Sequence, residues 1–233
     1  MKTVEDSILL AKEMVSIGEN AGRRTVALIT DMDIPLGNNI GNSLEVIEAV
    51  HTLQGHGPED LTQVSLQLAG NMMYLAGQGS IEECIEMAKG AIADGSAFEC
   101  LCKMVEAQGG DSSVLRDTEK FTKAAYSCDV LSEKEGYITH MDTESCGIAS
   151  VLLGAGRETK ESEIDYSAGI ILHKKTGDFV KKGDKIATLY TSKKETFADA
   201  EKRYLKALTF AKEKPAEEPL IYARVTKDSV EKY

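Results

Sequence analysis

The segment of residues 31–42 combines acidic, amide and glycine residues in a way that could serve a ligand. It follows residues 25–30, an apolar and β-branched run that predicts a strand covered on both faces, as in a parallel sheet. Loops after such strands commonly hold ligands in α/β proteins, and the residue types in this loop expose backbone carbonyl groups. The simpler alternative is an ordinary connection between a strand and a helix.

The four histidines are scattered, and none has a histidine or glutamate four residues away in a metal-binding arrangement. His173 forms a locally basic turn with Lys174 and Lys175 that could hold an anion, although a solvated turn is the simpler interpretation. The other histidines are His51, His56 and His140.

The five cysteines are an odd number and include no C-x-x-C pair, so we expect reduced thiols, mostly in the core. They are Cys84, Cys100, Cys102, Cys128 and Cys146. The sequence contains neither a phosphate-binding P-loop, nor a dinucleotide glycine motif, nor a serine-nucleophile elbow. Residues 154–157 (GAGR) favour a β-turn with an exposed Arg157. The sequence by itself therefore gives no complete catalytic site.

The chain has 233 residues, with 38 acidic against 27 basic residues and a net charge of −11. This balance argues against a nucleic-acid surface, and a hydrophobic fraction of 42% argues against disorder. No apolar run approaches the roughly 18 residues of a membrane span, and no secretory signal region is recognisable. We therefore expect a cytoplasmic protein without a membrane partner.

The first half of the chain has the pattern of a helix followed by a strand and a helical block. Thr3 and Asp6 predict a capped helix over residues 4–20, and residues 43–107 are predicted to be almost entirely helical. Two further capping boxes are predicted, Ser80 with Glu83 and Ser96 with Glu99.

The second half alternates short apolar stretches with glycine and charged turns, which predicts a β-rich module. Strands are expected at residues 136–138, 148–153, 170–172 and 220–225, a helix at 195–211, and a linker at 215–219. Residues 177–189 have the G-D-x-V-x-x-G-x-x-L pattern of a biotinyl or lipoyl-like sandwich. Lys185 lies inside this pattern and not at a preceding hairpin tip, so cofactor attachment to it is not expected.

The predicted fold class is α/β, or α+β overall. A partial parallel-sheet domain with a helical block, residues 1–124, precedes a β-rich, biotinyl/lipoyl-like (hammerhead-type) domain, residues 125–233.

Residues 31–37 (DMDIPLG) and 41–46 (GNSLEV) closely resemble the T-D-M-x-x-P-L-G-x-x-x-G-N-A-L-E-V stretch of bacterial pyrimidine-nucleoside phosphorylases. Further matching segments follow in the family's order at residues 57–62, 107–111, 153–157 and 169–178. The resemblance covers nearly the whole chain and is specific because the segments occur together.

The resemblance implies reversible phosphorolysis, in which phosphate attacks C1′ of uridine, thymidine or deoxyuridine and releases the base and a pentose 1-phosphate. Family members are nearly twice as long. The resemblance therefore implies that this chain is the C-terminal half, and that the helical domain, phosphate loop and base-binding elements lie upstream of residue 1. No catalytic or substrate-binding residue is assigned here, and we expect the chain to be inactive alone. The alternative is a non-catalytic interaction module or one half of a split enzyme.

The family also forms homodimers, mainly through that helical domain, and holds a structural potassium or calcium ion. By resemblance, the ligands in this chain are the backbone oxygens of Leu36 and Asn39 and the carboxylate of Glu48. Asn39 stands where relatives often have alanine, a harmless change for a backbone ligand. Such oxygen ligands suit a hard cation that needs six or more of them. We expect weak or absent cation binding here, and no cofactor for the chemistry.

Overall fold

The computed structural model describes residues 3–157 and 159–233. Its α-helices are α1 (Val4–Asn20), α2 (Asn42–Leu53), α3 (Glu59–Leu75), α4 (Ile81–Ala93), α5 (Ser96–Ala107), α6 (Ser113–Arg116), α7 (Thr143–Ser150) and α8 (Phe197–Lys206). Its strands are β1 (Ala27–Thr30), β2 (Asn39–Ile40), β3 (Tyr126–Leu131), β4 (Gly136–Met141), β5 (Gly169–Leu172), β6 (Phe179–Val180), β7 (Lys185–Thr191), β8 (Leu208–Ala211), β9 (Ile221–Val225) and β10 (Val230–Lys232). The predicted mixture of helices and sheets is confirmed.

The described residues form two compact units. The first unit combines the residues up to Asp31 with Glu59–Ala97 and Glu218–Tyr233. The second unit combines Met32–Pro58 with the described part of Phe98–Glu217.

The first unit contains a three-stranded antiparallel sheet in the order β1-β9-β10. Ile8, Ala11 and Val15 of α1 pack against Ala223 and Val225 on one face of this sheet. Arg224 lies between these two residues in β9, so its side chain is on the other face, where α3 covers it.

The prediction that residues 25–30 form a strand of a parallel sheet is wrong in its direction. The strand exists as β1, its four residues are partly buried, and it pairs antiparallel with β9. An unbroken apolar run indicates that both faces of a strand are covered, but it carries no information about the direction of the neighbouring strand.

Side-chain caps fix two of the predicted helix starts. The Thr3 hydroxyl accepts the Asp6 N–H at the start of α1, and Ser80 with Glu83 forms a complete capping box at α4. The capping box predicted for Ser96 and Glu99 is wrong. The Ser96 N–H donates instead to the Asp94 carboxylate at 2.8 Å.

Glu99 has a different partner, because both of its oxygens accept hydrogen bonds from the Arg116 guanidinium, at 2.6 and 2.8 Å. A long-range ion pair has therefore replaced the local cap that the spacing suggested.

The second unit contains two antiparallel sheets, with strand orders β2-β5-β7-β3 and β6-β4-β8. Helices α7 and α8 contribute to the same apolar core as these strands. The largest side chains of this core are Tyr204, Ile138, Met141, Leu153, Ile170, Ile186 and Leu189. The strands predicted at 136–138 and 170–172 are confirmed, and so is the first-unit strand predicted at 220–225, which is β9.

Two other predictions in the second half are wrong. Residues 148–153, predicted as a strand, continue α7 into a π-helical turn, Val151–Ala155. The Asp142 carboxylate caps α7 by accepting the N–H and hydroxyl of Ser145, and Gly154 ends the turn with a φ of 108°. The helix predicted at 195–211 stops at Lys206, because Leu208–Ala211 pairs with β4 as β8.

The cysteines are free thiols, as predicted. Cys84, Cys102 and Cys146 are buried, Cys128 is half-buried and Cys100 is exposed. Burial raises the pKa of Cys146 to about 11. No helix among the described residues is long and apolar enough to cross a bilayer.

Candidate functional site

The loop that precedes α2 is held by a buried carboxylate from that helix. Glu48 is 6% exposed, and both of its oxygens accept the Asn38 N–H, at 3.0 and 3.1 Å. One of them also accepts the Asn39 N–H at 3.3 Å. The backbone donors stabilise the negative charge and fix the end of the loop against α2.

Strand β2 lies at the edge of its sheet, and this position exposes the backbone of Asn39. In the ladder with β5, Asn39 is opposite Ile171, and the Leu172 N–H donates to the Asn38 carbonyl at 2.7 Å. The alternation of an antiparallel pair therefore turns the N–H and C=O of Asn39 away from β5. They face the side on which Glu48 lies, as the Asn39–Glu48 hydrogen bond shows.

A lysine contacts the same loop. The Lys175 Nζ donates to the Gly37 carbonyl at 2.8 Å, and Gly37 has a φ of 71°, which favours glycine. Leu36 precedes this glycine with a side chain that is 41% exposed. The structure thus brings Asn39 and Glu48 together and places Leu36 in the same loop.

The donor atoms here are of the kind that a hard cation prefers, namely a carboxylate and backbone carbonyls. Among the described residues, no cluster of three or more His, Cys, Asp and Glu side chains could hold a metal ion. A cation would therefore depend on main-chain oxygens, and the site at Leu36, Asn39 and Glu48 stays a prediction.

A cleft of about 490 Å³ opens beside this loop. Its lining includes Asn38, Glu48, His51, His56 and His173. The predicted basic turn at His173 therefore borders the cleft, together with two histidines from the segment around the end of α2.

His173 is oriented by residues that the sequence did not single out. The Thr188 hydroxyl donates to Asp129 at 2.8 Å, and the same oxygen lies 2.8 Å from His173 Nε2. Because the single hydroxyl proton goes to the carboxylate, Nε2 must carry the proton that it donates to Thr188. Partial burial and the charge of Lys185 lower the pKa of His173, and Asp129 opposes them in part.

No local signal could have revealed this chain of hydrogen bonds. Asp129 and Thr188 lie on β3 and β7 as opposite residues in the ladder, and His173 directly follows β5. Only the order of the three strands in the sheet brings them together.

The loop after α7 is organised by an aspartate. The Asp165 carboxylate accepts the N–H and hydroxyl of Ser167 and the N–H of Ser192. Burial raises the pKa of Asp165, and these hydrogen bonds lower it by more, so that the net pKa is below the ordinary value. Arg157, in the same loop, is exposed as predicted, but the predicted β-turn is the end of the π-helical turn.

Comparison with known proteins gives two domain matches. Residues 1–98 match the a/b domain of a glycosyl transferase family, and residues 137–211 match the pyrimidine nucleoside phosphorylase C-terminal domain. The mixed fold and the paired domains therefore define the class of this chain, a glycosyl transferase with a nucleoside phosphorylase C-terminal domain.

Curated relatives give the family itself. The chain is 46% identical to the pyrimidine-nucleoside phosphorylase of Staphylococcus epidermidis over 196 residues, which are 84% of this chain and 45% of the relative. It is 44% identical to that of Geobacillus stearothermophilus over 205 residues, 88% of this chain and 47% of the relative. The protein belongs to the pyrimidine-nucleoside phosphorylase family, and the chain spans about half the length of the curated relatives it matches.

Proposed function

We propose that this protein takes part in the phosphorolysis of pyrimidine nucleosides. The observation that supports the proposal is the 42–46% identity to pyrimidine-nucleoside phosphorylases, together with the two domain matches. In this reaction a phosphate oxygen forms a bond to C1′ while the bond from C1′ to the base nitrogen breaks. The base leaves with the electron pair and takes up a proton, and the sugar becomes a pentose 1-phosphate.

The reaction needs donors that hold phosphate and donors that stabilise the charge on the departing base. We assign neither role to a residue of this chain. Its proposed contribution is a rigid wall, the loop before α2, whose end is held in place by Glu48. The groups that bind phosphate and base are proposed to come from the half of the relatives that this chain does not match.

The test is an assay of base release. Purified chain is incubated with uridine or thymidine, with and without inorganic phosphate, and uracil or thymine is measured by chromatography. We expect no release by the chain alone. Phosphate-dependent release is expected when it is co-expressed with the unmatched half of the Geobacillus stearothermophilus relative.

The two parts of the proposal fail separately. Release by the chain alone would show that it contains the phosphate and base sites, and would leave phosphorolysis intact. An active full-length relative beside a co-expressed, soluble pair that releases no base would overturn the assignment of phosphorolysis to this chain.

We further propose that potassium or calcium binds at the carbonyl oxygens of Leu36 and Asn39 and the Glu48 carboxylate. The outward-facing carbonyl of Asn39 and the adjacent carboxylate support this site. Two features argue for weak binding: Glu48 already accepts backbone N–H groups, and Lys175 places a positive charge on the neighbouring Gly37 carbonyl.

Calorimetric titration with CaCl₂ or KCl tests the cation site. We expect dissociation constants in the millimolar range for the wild-type chain, and no measurable heat for Glu48→Gln. Glu45→Gln, on the same helix with an exposed side chain, is the matched control and should retain the wild-type isotherm. Identical isotherms for the two variants would exclude Glu48 as a ligand.

We also propose that residues 125–233 correspond to the C-terminal domain and that its core has a biotinyl/lipoyl-like, hammerhead-type fold. The domain match at 137–211 and the two antiparallel sheets of the second unit support this assignment. Strands β9 and β10, which follow the matched region, pair with each other and with β1 in the first unit. The boundary at residues 124 and 125 stays a prediction.

A further inference from the structure

Strand β1 occupies the edge of the first unit's sheet, yet it has the composition of an interior strand. Ala27, Leu28, Ile29 and Thr30 carry no charge and include no proline, and all four are partly buried. Edge strands usually protect their free backbone groups with charges, prolines or short length. Strand β1 has none of the charged or proline protections.

The opposite edge of the same sheet provides the comparison. Strand β10 has three residues, two of which are the exposed Glu231 and Lys232. One edge of the sheet is therefore short and charged, while the other is apolar. This asymmetry indicates that β1 is suited to a neighbour and β10 is not.

The hydrogen-bond pattern identifies the backbone groups that such a neighbour would meet. The Tyr233 N–H donates to the Tyr222 carbonyl and the Thr226 N–H to the Ser229 carbonyl, so even-numbered residues of β9 bond toward β10. Odd-numbered residues of β9 then bond toward β1. Leu28, which is opposite Arg224, consequently directs its N–H and C=O to the free edge.

Helix α1 has a related feature on its outer side. Leu10, Met14 and Ile17 follow the i, i+4, i+7 spacing and are 46%, 60% and 68% exposed. They lie on the side of the helix opposite to the buried stripe of Ile8, Ala11 and Val15. A helix that is apolar on two opposite sides is typical of one packed between two neighbours.

We propose that the free edge of β1 accepts an additional β-strand, which pairs through the backbone N–H and C=O of Leu28. The proposed occupant is an extended segment from the half of the pyrimidine-nucleoside phosphorylase chain that this protein does not match. The choice rests on family membership and on length, since the relatives carry about as much additional sequence as this chain contains. Main-chain pairing supplies the affinity, and the apolar surfaces beside it exclude water.

The experiment co-expresses the tagged, full chain with the unmatched half of the Geobacillus stearothermophilus relative and measures hydrogen exchange in the purified material. In the free chain, the Leu28 amide should exchange quickly, while the amides of Ala27 and Ile29, which bond to β9, should be protected. In the complex, the exchange of Leu28 should slow strongly.

A proline substitution tests the backbone contact directly. Leu28→Pro removes the outward N–H and leaves the bonds between β1 and β9 in place, because proline is tolerated where an edge N–H faces outward. Loss of one such bond should weaken the complex by about tenfold or more. Leu28→Ala keeps the N–H, and Lys232→Pro removes the outward N–H of the other edge. Both controls should bind within about twofold of the wild type.

Each other result contradicts the proposal. Undiminished binding by Leu28→Pro, or a complex in which Leu28 still exchanges quickly, would place the partner elsewhere. A concentration-dependent homodimer that protects Leu28 would make a second copy the occupant. A chain that stays free when both halves are soluble would leave β1 as a true edge. If Leu28→Pro does not fold, the exchange of Leu28 in the wild-type complex still decides. None of these measurements needs a nucleoside, so failure here is distinct from failure of the base-release assay.

Discussion

The carboxylate of Glu48 accepts the backbone N–H of Asn38 with both of its oxygens, at 3.0 and 3.1 Å. The interaction joins the middle of α2 to the loop before it and is almost fully buried. A single carboxylate therefore sets the shape of the segment that has the strongest family resemblance.

Glu48→Gln should destabilise the protein. The amide keeps one acceptor oxygen, loses the charge and brings its own N–H groups toward the backbone donors of Asn38 and Asn39. We expect a loss of about 1–3 kcal/mol in the free energy of unfolding, measured by urea denaturation. Glu45→Gln is the control, because the exposed Glu45 accepts only the Gly41 N–H in this loop, and it should lose less. Equal losses would show that burial of Glu48 is unimportant.

His173 should be neutral at pH 7 with its proton on Nε2. Its pKa is lowered in the folded state, so the unfolded chain binds the proton more readily, and protonation below about pH 6.5 should weaken the fold. Two-dimensional ¹⁵N NMR gives the tautomer and the titration midpoint. Thr188→Val removes the hydroxyl that selects this tautomer and should relax the preference, while the signals of His140 stay unchanged. A predominantly Nδ1-protonated His173 in the wild type would refute the assignment.

Asp165 should contribute stability that disappears in acid. Its pKa is lower in the folded state than in the unfolded chain, so its contribution is present above about pH 4 and is lost as the pH falls through the folded-state pKa. Asp165→Asn should lower the melting temperature at pH 6, and the difference from the wild type should shrink toward pH 2. Asp228→Asn, at an exposed turn, is the control and should show no such trend. A gap that is constant with pH would mean that the ionised form makes no special contribution.

Asn71→Ala should cost more stability than Arg224→Met. The buried Arg224 guanidinium donates through Nε to Asn71 Oδ1 at 2.8 Å, and it lies 4.9 Å from the centroid of the Tyr74 ring. Removing the acceptor leaves a buried positive charge with an unpaired donor, whereas methionine removes the charge and retains apolar volume. We expect Asn71→Ala to lose about 2–3 kcal/mol by urea denaturation. The reverse order of losses would contradict this argument.

Local patterns predicted the helices of the first half well, because their caps and apolar stripes lie within a few residues of each other. Thr3 and Ser80 cap the helices that their spacing predicted. Ser96 does not, since Glu99 found Arg116, a partner 17 residues away that no local pattern reveals. The direction of β1 and the change from α8 to β8 were missed for the same reason, because partner strands decided them.

The candidate site was predicted in part. Family resemblance pointed to Asn39 and Glu48, and the structure places them in contact through the Asn39 N–H. Resemblance said nothing of Lys175 at the Gly37 carbonyl or of Asp129 and Thr188 behind His173. These contacts join residues 138, 59 and 15 positions apart, so only the assembled sheets could show them.

The pairing of β1 with β9 has a consequence for biosynthesis. The second unit is fully translated once Glu217 has been added, but the first unit still lacks β9 and β10 at that moment. Helix α1 therefore leaves the ribosome long before the strand that carries its packing partners Ala223 and Val225. The nascent chain must keep the apolar side of α1 soluble until the last residues are released, which makes this helix the natural contact for a chaperone during synthesis.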